Sequence, residues 1–409
     1  MARTLHADLL IAQQIGYPTA NGGGYQPAVR CIFTSSDGSI TYDYSFNPAL
    51  TTNRLVHVQQ IEGRESDPGV IRLKNPDWSI PDNLNGYYVD LGWGLYTTSG
   101  IRWDTAAGAV SPRLWVMQQS NISGGLKNSA PSLYTDFVMA GVWDAVLNKQ
   151  SVRIGTSPLY KLDEENPVSA LQNKTIYSVL EYLIETALSD QTGLTFTLED
   201  LGTQDDGLIS SLIPFPTSSD PEDWMRTINS ESPSYFDTYG EVIRRLLELT
   251  KCMLIPKAGL AFKIIYPQSG DTADETYYSS VAAGHPFYEV EHRNLNMVPN
   301  HIEILGGWDD ETGKPTAKGH WFDTDHYSGW VSPAETATYD GPFMPITSSG
   351  STDNPTWELG LNTNEKCINR AAALGWQLKD QMFGQRVIIP MDARVELYDR
   401  VSVSDRRGK

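Results

Sequence analysis

The chain has 409 residues and a net charge of -19, from 50 acidic against 31 basic side chains. Such a surface repels phosphate backbones, which argues against sequence-specific nucleic-acid binding and fits either plain solubility or a conduit past which DNA slides. With 40% hydrophobic and 20% charged residues it is a folded chain of roughly two to four domains, and no apolar run approaches a membrane span.

Residues 1–24 read as an arm that ends in Asn21 and three glycines, a flexible joint. Its apolar patch at 9–12 is too weak for a signal peptide. From Tyr25 to about residue 150 the pattern is β throughout. Short β-branched and aromatic runs at 55–58, 70–73, 88–91, 114–117 and 137–143 are separated by turn chemistry at Asp37-Gly38, 75–77 and 123–125. Strands without intervening helices predict a barrel or sandwich.

The period then changes. Ile176, Val179, Leu180, Leu183, Ile184, Ala187 and Leu188 share one face of a predicted helix, with Asn173 as its N-cap and Gly193 as its stop. Residues 201–236 are polar and acidic and read as a long loop. Tyr239, Val242, Ile243, Leu246, Leu247 and Thr250 form a second helical face, opened by a capping box at Thr238 and Glu241. A hairpin follows over 252–255 and 260–266. Strand pattern returns over 292–305, while 306–360 is Gly-, Asp-, Thr- and Pro-rich and reads as loop. A third helix carries Ile368, Ala371, Ala372, Gly375, Leu378 and Met382 on one face, with Asn362 and Glu365 at capping-box spacing and small residues that permit close packing. The chain closes on 386–390 and on an expected alternating strand over 396–403.

Chemistry is sparse. Gly313-Lys314 is followed by Pro315, and Trp308 stands where the first glycine of a phosphate loop belongs. Serine-elbow and H-E-x-x-H motifs are absent. One loop, containing His320, Asp323, Asp325 and His326, brings two imidazoles and two carboxylates within seven residues, a candidate metal site if the loop folds back. Its bland reading is a polar loop whose side chains cap turns. His292 and His301 read as ordinary half-buried strand residues. Eleven Trp, twenty Tyr and fifty carboxylates admit glycan binding or hydrolysis, but Trp115 and Trp143 sit in strands where core roles are expected, and loop carboxylates such as Asp205 and Asp206 are poor acids unless buried. Cys31, Cys252 and Cys367 are odd in number and far apart, so they are expected as buried free thiols of a reducing compartment.

The order of parts resembles the baseplate hub, or tail-associated hub, proteins of tailed bacteriophages. The resemblance spans roughly residues 30–407. It begins at 54–58 (Arg-Leu-Val-His-Val), 69–75 (Gly-Val-Ile-Arg-Leu-Lys-Asn) and 85–92 (Asn-Gly-Tyr-Tyr-Val-Asp-Leu-Gly), which look like that family's first barrel, with 111–117 and 137–147 as its returning strands. The helix at 175–184 and the helix-plus-hairpin at 239–266 look like its second domain. The final helix, with 386–390 and 396–403, is similar to the strands that close a second barrel. No single motif is specific; the order over the chain carries the likeness.

The resemblance implies an α+β multidomain fold: two tube-like β-barrel domains, an inserted small α/β domain and a peripheral loop-rich region. The implied parts are an arm at 1–24, a first barrel at 25–150, a helix-plus-hairpin domain at 151–284, a second barrel from 285–305 with 386–409, and an insertion at 306–385 ending in a helix. Val89, Leu91, Ile302, Ile304, Val401 and Val403 are expected wall positions. The implied function is structural, without enzymatic activity or cofactor: a homotrimeric, pseudo-sixfold ring joining a sixfold tail tube to a threefold tip and passing DNA as non-specific cargo. Implied partners are the tail tube or distal tail protein, the tape measure protein, and tip or fibre proteins. The implied location is the virion tail tip, after assembly in the host cytoplasm. Many members of that family continue into fibre, lysozyme-like or peptidase modules, so a chain ending at Lys409 is either a compact hub or a piece of a longer one. Alternatives from other classes are a glycan-binding or glycan-hydrolysing virion or secreted protein, and a hub of a bacterial contractile-injection system.

Overall fold

The computed structural model describes residue 9 and residues 26–97, 100–103, 111–124, 132–151, 175–201, 208–210, 238–267, 271–279, 285–292, 301–309, 312, 314–323, 343–347, 363–382, 385–390 and 392–404. The fold is mostly antiparallel sheet with few helices. No helix among the described residues is long and apolar enough to cross a membrane. Apart from Leu9, the expected arm at 1–24 lies outside them, as does most of the loop at 201–236.

Strands β1 (Gln26–Thr34), β2 (Thr41–Asp43), β3 (Leu55–Gln60), β4 (Pro68–Lys74), β5 (Tyr88–Thr97), β6 (Gly100–Trp103), β7 (Leu114–Gly124) and β8 (Ser132–Gly141) make one sheet. Its order is β2-β1-β5-β7-β8-β4-β3, with β6 added on β5. Alternation drives it: β4 buries Gly69, Ile71 and Leu73 and turns Val70, Arg72 and Lys74 outward. In a flat sheet β1 and β8, three steps apart, would stand about 14 Å from each other. Yet the rings of Phe33 on β1 and Phe137 on β8 are 4.8 Å apart. The sheet therefore curls round one core, in which Phe33, Ile71, Leu73, Val89, Leu91 and Phe137 are fully buried. The pairing path stays open between β2 and β3 among the described residues, so the expected first barrel is not a closed ring of hydrogen bonds. The terminal strand β2 has only three residues and leaves little ladder to pair.

Residues Trp143–Leu147 form a π-helical turn that leads from β8 into a second core. Helix α1 runs from Ile176–Glu181 through a π-helical stretch, Tyr182–Leu188, to a last turn, Ser189–Thr192. All seven residues of its expected face are buried. Its cap is Thr175, whose side chain accepts from the Ser178 amide; Asn173 lies outside the described residues. Gly193 stops the helix with φ 71°, a left-handed position that favours glycine. Strand β9 (Thr197–Leu198) follows, and the Leu198 amide donates to Glu185 of α1 at 2.8 Å.

Helix α2 (Tyr239–Glu248) has the expected capping box. The Glu241 amide donates to Thr238 Oγ1 at 3.3 Å, and the Thr238 amide donates to the Glu241 carboxylate at 2.9 Å. Its six expected core residues are all buried. Thr238→Ala is expected to cost about 1 kcal/mol, read as a lower urea midpoint. Strands β10 (Met253–Pro256) and β11 (Ala261–Ile265) form the expected hairpin, and β9 adds to β11 in parallel.

Most of the remaining strands pair over long sequence distances, β14 and β15 being a local hairpin. Strand β12 (Glu275–Tyr278) pairs in parallel with β18 (Val401–Ser404), and β13 (Glu289–His292) runs antiparallel to β17 (Gln385–Ile388). Strands β14 (His301–Asp309) and β15 (Lys314–Phe322) are antiparallel, with β16 (Phe343–Thr347) parallel to β14. Part of the segment expected as loop at 306–360 is therefore sheet. Its inward positions on β15 are Ala317 and Gly319, too small to give a hydrophobic period.

Helix α3 (Asn364–Met382) packs on β14 and β15 through Cys367 and Ala371 against Ile302, Ile304 and Ala317. Two corrections apply to its expected face. Ile368 is 48% exposed, and the cap is Thr363, whose Oγ1 accepts from the Lys366 amide at 3.3 Å; Asn362 lies outside the described residues. Buried Arg370 and Gln377 point instead to the end of α2. Arg370 donates to the Glu248 carbonyl, and Gln377 Nε2 donates to the Thr250 carbonyl at 2.9 Å. These side chains satisfy carbonyls that the end of a helix leaves open.

The closing strand expected at 396–403 is shorter. Only Val401–Ser404 is strand, and Val401 is 38% exposed, unlike the expected wall positions Val89, Leu91, Ile302 and Ile304, which are buried. Residues 396–399 turn: Asp399 Oδ2 accepts from the Glu396 amide at 2.9 Å, and Tyr398 takes φ 68°, a value incompatible with an extended strand. Leu397 and Tyr398 pack on Met253, Ile255 and Ile265 of the hairpin, and Glu396 pairs with Lys257.

Candidate functional site

Of the four metal-ligand candidates, Asp325 and His326 lie outside the described residues. His320 sits on β15 and the buried Asp323 follows that strand. Among the described residues no three His, Cys, Asp or Glu side chains converge in a way that holds a metal ion.

The β14–β15 register gives His320 other partners. It pairs Glu303 with His320 and His301 with Phe322, which places all four side chains on one face. His301 Nε2 and His320 Nδ1 are 3.1 Å apart, and His320 Nε2 lies 3.6 Å from Glu303 Oε1. The His301 ring stacks on Phe322 at 4.5 Å. His301 is buried rather than half-buried, and burial, then the neighbouring His320, lowers its pKa to about 4. It is thus a neutral imidazole at pH 7. The row can hold a polar chain in register, and it contains no hydroxyl or thiol side chain. Only strand pairing brings these residues together, so the linear sequence carries no signal for the grouping, although His320 itself stands out.

A second polar cluster fastens the end of the described chain. Asp392 accepts from the Tyr277 hydroxyl at 3.1 Å, from the Arg394 amide at 3.0 Å, and from Arg394 Nε and Nη2 at 3.1 and 2.9 Å. Arg394 also pairs with Glu275 of β12. His285 Nδ1 lies 3.7 Å from Asp392. Burial alone would push the Asp392 carboxyl up; hydrogen bonds from Arg394 and the charges of Arg394 and His285 hold it below the usual carboxylate range. His285 is lowered by burial, against the opposing pull of Asp392.

A cleft of about 570 Å³ opens beside β1, β2 and β6, with Tyr44, Phe46 and Trp103 among its walls and Asn47, Arg30 and Arg54 at its polar side. Arg54 is engaged in a two-pronged pair with Asp77 at 2.8 and 2.7 Å. The three cysteines are buried and unbridged, and burial, followed by Asp43, pushes the Cys31 thiol up, so it is inert.

The sequence matches no known family, and no curated protein matches it. Its solved structural neighbours are phage tail and baseplate proteins. The tail protein of Neisseria meningitidis MC58 overlays with a TM-score of 0.50 at 9% identity, covering 94% of this chain and 88% of that one. The 43 kDa tail protein of prophage MuSo2 from Shewanella oneidensis overlays at 0.46 and 9% identity, covering 92% and 89%. A chain of the p2 virion baseplate in its activated conformation overlays at 0.27 and 9% identity, covering 94% and 93%. At such identities the first likeness speaks for the fold, and the two looser overlays carry no argument.

Proposed function

We propose that this chain is a structural protein of a bacteriophage tail, and that it acts as the hub at the tail tip. The observation that carries the reading is the overlay of 94% of the chain on a tail protein, end to end rather than over one module. The polar clusters agree with it. They join strands and segments to one another, and none combines a nucleophile, a base and an open cavity. On this reading the chain forms a homotrimer whose two tube-like β-barrel domains per subunit build a pseudo-sixfold ring. The ring joins the tail tube or distal tail protein to tip or fibre proteins, meets the tape measure protein, and passes DNA without binding it. The net charge of -19 suits such a lumen. Assembly takes place in the host cytoplasm and the product resides in the virion.

Native mass spectrometry of the purified chain is expected to give a trimer at micromolar concentration that persists at moderate salt. A stable monomer that does not associate with its tail-tube partner would sink the hub reading.

One observation favours a second reading, a glycan-binding virion protein. The cleft beside β6 combines the aromatic rings of Tyr44, Phe46 and Trp103 with the amide of Asn47. Oligosaccharide titration monitored by tryptophan fluorescence tests it, with Trp103→Ala as the control. A saturable change lost in that variant supports it, and no change discards it.

A further inference from the structure

We propose that Asp67 is a proton-operated latch at the joint between the curled sheet and the helical body, closed when its carboxyl is neutral and loosened when it ionises. The inference stands apart from the tail reading and holds or fails independently of it.

Placement is the first ground. Asp67 ends the loop that leads into β4, and its carbonyl accepts from the Gly141 amide at 2.9 Å. Its carboxyl lies where a side chain on Gly141 would stand, 1.8 Å from an ideal Cβ there. Gly141 closes β8, and the next residues, Val142 and Trp143, enter the helical core. The carboxyl thus occupies the point where the chain passes from one core to the other.

Isolation is the second. Asp67 is 1% exposed, and neither carboxyl oxygen makes a hydrogen bond of full geometry, although the backbone amides of Val142 and of Asp67 itself lean toward it. Trp143 Nε1 and the side-chain amide of Gln60, which belongs to the strand pair next to Asp67, are likewise buried without one. The charged groups nearby do not neutralise it. Asp144 faces it from the π-helical turn and Glu62 from its own loop, both anionic. Asp144 accepts from Ser66 Oγ at 2.6 Å. Glu65 is engaged by Arg244 of α2 at 2.8 Å and by Arg64 at 3.5 Å. Gly141, Ala140 and Met139 on β8 bring no charge.

A carboxylate in this corner would be desolvated, unpaired and opposed by two anions, which favours the protonated form. Burial first, and then Asp144, raise its pKa from 3.8 to about 7, with the Val142 amide a smaller opposing influence. The sign follows. The closed joint binds a proton that the opened joint, with a solvated carboxyl, gives up between pH 3.8 and about 7. The contribution to closure is therefore fully present below 3.8 and lost as pH rises through about 7.

Hydrogen exchange of the full chain, corrected for intrinsic rates, tests this at residues 140–147. One linked proton raises the opening constant about tenfold per pH unit across pH 5 to 6.5 and levels off above the folded-state pKa. Asp67→Asn keeps the shape and neutrality of the closed form and is expected to flatten that slope. Asp144→Asn removes a facing charge and is expected to move the levelling point to lower pH. A slope in Asp67→Asn equal to wild type overturns the proposal. So does a flat wild-type profile. If Asp67→Asn fails to fold, an unmoved profile in Asp144→Asn overturns it as well.

Discussion

Gly319→Val is expected to separate α3 from its sheet and to cost at least about 3 kcal/mol, at or beyond the upper end of ordinary overpacking. An ideal Cβ on Gly319 stands 2.1 Å from the Ile368 nitrogen and 2.2 Å from the Cys367 carbonyl carbon. Both are backbone atoms of α3, so no rotamer change relieves the overlap. The helix must move as a body, and with it go Cys367 and Ala371 from Ile302 and Ile304. Arg370 and Gln377 would also leave the carbonyls of Glu248 and Thr250, so the loss spreads to the end of α2. Urea denaturation measures the cost, and hydrogen exchange over 364–382 locates it. Gly375 offers the contrast. Its ideal Cβ stands 2.2 Å from the Trp321 ring, a side chain. Gly375→Ala is therefore expected to be partly relieved by Trp321→Leu, whereas Gly319→Val should gain nothing from that second change. Equal rescue of both would mean that the helix–strand contact is not set by backbone approach.

These glycines show where the sequence speaks and where it is silent. The faces of α1 and α2, the Thr238–Glu241 box and the Gly193 stop were legible because each depends on residues within a few positions. The strands of the first sheet were legible from alternation, as on β4. By contrast, β15 buries glycine and alanine against α3, and a strand without large inward side chains has no hydrophobic period to read. Arg370 and Gln377 of α3 are buried to serve another helix, a role set by a partner more than a hundred positions away that no local pattern announces. The stretch at 396–403 misled for a local reason: Asp399 and the positive φ of Tyr398 make a turn that apolar alternation hides. Among candidate site residues, His320 was recognisable as polar chemistry, yet its partners His301 and Glu303 follow from register between strands 19 and 17 positions away.

Asp392→Ala is expected to release the last described segment from β12 at a cost of about 3 to 5 kcal/mol, the range for removing one partner of a buried ion pair. The side chain of Asp392 is fully buried and organises four donors from Tyr277 and Arg394. Without it, Arg394 keeps Glu275, but one desolvated cation then leans on a single carboxylate, and the Tyr277 hydroxyl loses its acceptor. Asp392→Asn should recover little, since its amide group would turn donors toward Arg394. The pH dependence has a definite sign. Asp392 sits below the ordinary carboxylate value of 3.8, so its contribution is present above 3.8 and lost as pH falls through the depressed pKa. His285 sits below 6.5, so acid that protonates the unfolded chain's histidine also disfavours this corner. Both act against the folded state on the acid side, opposite to Asp67, which acts as pH rises through about 7. Exchange at 275–278 and 401–404 should therefore quicken on acidification while exchange at 140–147 slows. In Asp392→Ala the first two segments should exchange quickly at neutral pH, with much of their acid response gone. Parallel responses of all three segments, in wild type and variant alike, would mean a single global transition and remove the separate role of this cluster.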